Sequence, residues 1–116
     1  MPNGKRIQKN LVGKDIKNYD SMLVLSHFKG HPMGGFGGAL KQLSIGCASS
    51  AGKANIHGAG KPEEMWTAEQ NAFLESMADA AESVVKLFDG KIVYINVMKN
   101  MSVDSQTAAP WRRTRV

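Results

Sequence analysis

The feature that most constrains the fold is the order of three apolar segments. They are a short run at Met22–Leu25, an amphipathic stretch from about Thr67 to Asp89, and a second run at Ile92–Val97. In the middle segment Phe73, Met77, Ala81, Val84 and Phe88 recur at helical spacing, and Leu74, Ala78 and Val85 widen the stripe. Thr67 followed by Gln70 predicts a capping box at the helix start, and Gly90 predicts the C′ residue that ends it. The two flanking runs are continuous rather than alternating, which predicts strands buried on both faces. Strand, helix and strand in this order predict a right-handed crossover between parallel strands. The expected fold class is therefore α/β, a partial parallel or mixed sheet with a strand–glycine loop–helix–strand crossover. Dimerisation is expected through a sheet edge left exposed by missing strands.

Between the first strand and the long helix the chain is rich in small and polar residues. Ser26-His27-Phe28-Lys29-Gly30-His31-Pro32 leads into Gly34-Gly35-Phe36-Gly37-Gly38, four glycines in five positions. Such backbone can take positive φ and approach a ligand closely. Ala39 to Ile45 is expected to form a short helix. Gly46-Cys47-Ala48-Ser49-Ser50-Ala51-Gly52-Lys53 reads as a second loop, running on to His57, Gly58, Gly60 and Pro62. Residues 1–20 read as a short strand or turn followed by a connection, and Trp66 as a packing anchor. Ligands of parallel sheets bind beyond the carboxyl ends of the strands, where the His27–Gly38 loop and Met98-Lys99-Asn100 both lie.

Composition removes several function classes. The 116 residues suffice for one domain, and no apolar run approaches the length of a membrane span. The opening Met-Pro-Asn-Gly-Lys-Arg lacks the apolar stretch of a secretory signal, and a cytoplasmic location is expected. The net charge of +5 leans on Arg112, Arg113 and Arg115, without which 12 basic residues face 10 acidic ones. The remaining lysines are not interleaved with aromatics, so neither nucleic acid nor membrane is an expected partner. The single cysteine, Cys47, excludes a disulfide framework and a multi-cysteine metal site.

The glycine loops fail the common nucleotide motifs. Leu40 stands where the dinucleotide fingerprint needs its third glycine. Gly46 and Gly52-Lys53 are separated by five residues rather than four, and Ala54 replaces the Ser or Thr that would meet magnesium. What remains is a generic site for a small anion or a plain structural loop. His27 and His31 are four apart, but Gly30 and Pro32 oppose a helix there, and in extended chain the two stand roughly 13 Å apart. With His57 they offer a three-histidine arrangement only if the chain turns at Lys29-Gly30; no metal site is expected. Cys47 reads as a small buried thiol or, with a nearby histidine as base, a nucleophile. Asp79 and Glu82 are placed on the solvated side of the helix.

The run Leu25-Ser26-His27-Phe28-Lys29-Gly30-His31, then Gly34 to Lys41, then Gly46-Cys47-Ala48-Ser49 with Gly52-Lys53, resembles the family called domain of unknown function 362. The likeness extends over about Asn3 to Asp104. Relatives often carry ferredoxin-like cysteine clusters, so the resemblance implies an iron–sulfur-associated protein whose cluster cysteines this chain does not carry. It also implies a fold similar to the N-terminal domain of the nickel-dependent lactate racemase group. No general reaction attaches to the family. The chain departs from its relatives by starting well into the domain and by ending without their cysteine-rich continuation. Residues 1–104 are expected to be a family fragment and residues 105–116 a basic, disordered or out-of-frame extension.

Three functional expectations follow. The first is a ligand- or cofactor-binding domain, its pocket built from His27, Lys29, His31, Gly34, Gly35, Gly37, Gly38, Lys41, Cys47, Ser49 and Lys53. The second is an enzyme remnant, with His27 or His31 as general acid or base and Lys29 as electrostatic stabiliser. The third is an inactive structural fragment.

Overall fold

The computed structural model describes residues 4–100. Its elements are β1 (Met22–His27), β2 (Lys29–His31), β3 (Gly35–Gly37), α1 (Ala39–Lys41), α2 (Ser50–His57), α3 (Gln70–Leu87) and β4 (Ile92–Val97). A single wide helical turn, Gln42–Gly46, continues α1, and short 3-10 turns occupy Lys14–Asn18 and Pro62–Glu64. β1 and β4 pair in parallel, Met22 opposite Ile92 through to His27 opposite Val97, while β2 and β3 form a small antiparallel hairpin. The fold is α/β, as the order of apolar segments predicts.

The long helix is the centre of the core because its apolar positions span two adjoining faces. One cluster joins Phe73, Met77 and Ala80 to Ile7, Ala48 and Ile56; the other joins Ala81, Val84 and Phe88 to Val24 of β1 and Leu43. Phe73 is completely buried, and full burial of such a side chain contributes about 1.5–3 kcal/mol. Of the short strand or turn expected early in the chain, the structure shows bends and no strand: the segment 4–13 runs along this helix. Its one ladder contact is Val12 opposite Ala48.

Several expectations give way. The helix begins at Gln70, three residues after Thr67. The amides of Thr67 and Ala68 already donate to the Glu64 carbonyl, so Thr67 closes the preceding turn instead of capping the helix. Phe88 is the C-cap, and the left-handed positions that follow are Asp89 (φ 49°) and Gly90 (φ 75°), so the reversal takes one residue more than Gly90 alone. Asp79 is buried rather than solvated, because its carboxylate accepts hydrogen bonds from the backbone N–H groups of Arg6 (2.6 Å) and Ile7 (3.1 Å). Trp66 is 80 % exposed and anchors nothing.

The sheet departs furthest from expectation. β1 buries Val24 and Ser26 on one face only, and Leu23 and Leu25 on the other are 60 % and 59 % exposed. β4 is exposed along nearly its whole length. Helix α3 covers one side of β1, and no described element covers the opposite side. The basic extension expected from Ser105 lies outside the described residues.

Candidate functional site

The chain leaves β1 at His27 and folds at once into the β2–β3 hairpin, closed by stacking of Phe28 on Phe36 with ring centroids 5.3 Å apart. Gly38 then lies against Phe28. A methyl group there would stand 3.2 Å from the Phe28 ring and 3.4 Å from the side-chain oxygen of Asn96 in β4. This close approach turns the hairpin into α1 beside the carboxyl ends of β1 and β4. Along α1 and its continuation, Lys41, Gln42 and Ile45 fall on one side at helical spacing.

The result is a shallow cleft of about 220 Å³ lined by His27, Lys29, Gly37, Gly38, Lys41, Gln42, Ile45 and Gly46. Lys29 lies along Gly37, where an added methyl group would stand 3.6 Å from the lysine stem. Burial and the charge of Lys29 both hold the Lys41 ammonium below its usual lysine range. None of the lining residues is a carboxylate. His27 is bound through Nε2 to the Lys99 carbonyl at 2.8 Å, and since a carbonyl only accepts, that nitrogen carries the proton.

His31 is used differently. Its Nδ1 accepts the backbone N–H groups of Met33 (3.2 Å) and Gly34 (3.0 Å), which fixes the unprotonated state of that nitrogen. Burial, then the charges of Lys41 and Lys29, push its pKa below the ordinary histidine value. It is not part of the cleft lining. The hairpin turn spans residues 32–34, and Gly35, the first residue of β3, follows with φ 72°.

The second glycine segment is a connection only over residues 47–49 and is helical from Ser50 to His57. Ser49 caps α2, accepting from the Gly52 N–H at 3.2 Å while donating to the Leu11 carbonyl at 3.1 Å. Gly52 is glycine because a methyl group there would fall 2.0 Å from the Leu11 carbonyl oxygen. Lys53 is an exposed residue on this helix. Cys47 is partly buried against the β1-side core cluster, and burial pushes its thiol pKa up, away from the nucleophilic thiolate. His57 donates from Nδ1 to the Lys53 carbonyl at 2.8 Å, with its ring stacked on Phe73. Among the described residues no three His, Cys, Asp or Glu side chains gather closely enough to hold a metal ion.

The structure thus brings together His27, Lys29, Gly37, Gly38 and Lys41 of the expected pocket. His31, Gly34, Gly35, Cys47, Ser49 and Lys53 lie outside it. Gln42 and Ile45 join the cleft without having been singled out, although the short helix expected over Ala39 to Ile45 already places them on the side of Lys41. The one cysteine does not fit the four-thiolate ligation of an iron–sulfur cluster. No helix among the described residues is long and apolar enough to cross a membrane.

Neither the curated proteins nor the solved structures include a match to this chain. The family model described as domain of unknown function, DUF362, matches residues 1–115, nearly the whole sequence. The chain belongs to the DUF362 family.

Proposed function

We propose that the chain binds a small anion in the cleft between the strand ends and the Ala39–Gly46 helix. In this reading it is the ligand-binding part of an iron–sulfur-associated protein. The observation that carries the binding reading is the convergence of Lys29 and Lys41 on one cleft with no carboxylate in its lining. Burial first, and the neighbouring charge of Lys29 second, hold the Lys41 pKa down, so a positive charge in this cleft is costly. A ligand carrying negative charge relieves it, and Gly37 and Gly38 leave backbone that such a ligand can approach.

The acid–base alternative has less support. The Nδ1 lone pair of His31 is committed to two backbone N–H groups, so His31 has no free basic nitrogen while that turn is intact. His27 alone reaches the cleft. The iron–sulfur association rests on the family resemblance and assigns this chain no cluster of its own.

Thermal unfolding with and without phosphate, sulfate, oxalate and citrate tests the reading. At least one of these anions should raise Tm with saturating concentration dependence, as ligand binding to the native state requires. Lys41→Ala should abolish the shift and Lys29→Ala should weaken it. No shift with any anion, or a shift indifferent to both variants, overturns the proposal.

A further inference from the structure

The surface least in keeping with exposure to water is the outer face of the β1–β4 sheet. Register sets Leu23 beside Val93, Leu25 beside Ile95 and His27 beside Val97. Alternation along each strand puts all six on the side away from Val24 and α3. The five aliphatic members are 60 % (Leu23), 59 % (Leu25), 61 % (Val93), 46 % (Ile95) and 43 % (Val97) exposed. No Lys, Arg, Asp or Glu occurs in either strand. Parallel sheets are ordinarily covered on both faces, and the largest contiguous apolar patch on a surface is often functional.

We infer that this face is the contact between two copies of the chain, packed sheet against sheet about a two-fold axis. A second copy is favoured on three grounds. The first is area: the five exposed residues amount to on the order of 500 Å² per copy, so their full burial in a pair removes about 1,000 Å² in total, the lower limit for a specific interface. The second is chemistry. A partner bearing charge would need a complementary charge within the patch, and the two strands supply none. What matches a flat unbroken aliphatic row is another such row, interdigitating at the ~10 Å spacing of stacked sheets. The third is coverage. Pairing through the open edge of β4 would leave the aliphatic rows of both copies wet, whereas pairing through the face covers them about a two-fold axis.

This contact does not depend on the anion reading, but it touches the same region. His27 belongs both to the outer face and to the cleft lining, so the second copy would border the cleft.

Sedimentation velocity of the full chain over about 1 to 100 μM tests the inference, because a reversible dimer shows a concentration-dependent equilibrium. Leu25→Lys should yield monomer at every concentration with an unchanged far-UV circular dichroism spectrum. The double variant Leu23→Thr and Val93→Thr keeps strand-compatible residues, and should weaken dimerisation at least about tenfold even if the lysine variant folds poorly. Binding of a hydrophobic dye should be low in the wild-type dimer and high in the monomeric variants. A wild-type monomer that binds the dye overturns the inference in favour of a different partner. Open-ended association overturns it in favour of edge pairing, and a dimer that survives both variants overturns it outright.

Discussion

His31 holds its turn by accepting two backbone N–H groups at one nitrogen, so its protonation and its structural role exclude each other. A proton on Nδ1 requires both bonds to break. The folded pKa lies below the ordinary 6.5, with burial the largest cause and the charges of Lys41 and Lys29 next. The sign of the pH dependence follows. As pH falls through about 6.5 the unfolded chain takes up this proton first, so the contribution of His31 is complete above that value and is lost toward the lower folded pKa. Urea unfolding at about pH 7.5 and 5.5 should show wild-type stability falling over this window. An asparagine in its place offers a side-chain oxygen to the same two amides without titrating, so His31→Asn should remove part of that fall. His31→Ala leaves both amides without a side-chain acceptor and should cost about 1–3 kcal/mol at the higher pH. Equal pH dependence in wild type and His31→Asn would refute the assignment. This role was hidden in the sequence, where a histidine just after a buried strand and a short polar run reads as a pocket residue or a general acid or base. Nothing in spacing reveals that the ring turns back on its own loop.

Helix α2 illustrates at the level of an element why the glycine-rich middle of the chain is hard to read. Small residues and two flanking glycines look like loop composition, yet Ser50–His57 is helical because small residues let it lie directly on the segment before β1. The Ser49 N–H meets the Leu11 carbonyl at 2.8 Å, and Gly52 follows at the point of closest approach. Local propensity and tertiary contact therefore make opposite predictions for Gly52→Ala. Propensity alone favours alanine by about 1 kcal/mol. A methyl group 2.0 Å from the Leu11 oxygen requires the helix or the strap to move, at a typical cost of about 1–3 kcal/mol. The clash meets backbone rather than a flexible side-chain tip, so the substitution should lower the urea midpoint; a neutral or stabilising result would show that the strap yields freely. Helix α3, by contrast, was legible because eighteen residues of periodic burial outweigh any single contact, and only its ends moved. The cleft was half legible. His27, Lys29, Gly37, Gly38 and Lys41 stand near the strand end in sequence and in space, whereas Cys47, Ser49 and Lys53 were drawn away by the unrecognised helix.

On the scale of the whole molecule the burden of stability is uneven. Both core clusters are built on α3, while among the described residues β4 is tied by backbone ladder bonds to β1 alone and exposes Val93, Tyr94, Ile95 and Val97 by 43–61 %. The unbroken apolar runs of β1 and β4 were legible as strands fit for two-sided burial. What the sequence did not reveal is that the described residues supply a layer for one side only. Segments with few buried contacts open below the global unfolding free energy. Native-state hydrogen exchange should therefore find the Phe73–Val84 amides opening only with global unfolding, and the β4 amides opening at a lower free energy. If two copies pack through the outer face, raising protein concentration should slow exchange in β4 and leave α3 unchanged, because only β4 and β1 gain a neighbour. Exchange from β4 as slow as from α3 at every concentration would mean that the strand is held by something other than β1. Exchange from β4 that is fast and indifferent to concentration would leave its opening below the global value as expected, but would remove the second copy as the cover of the sheet.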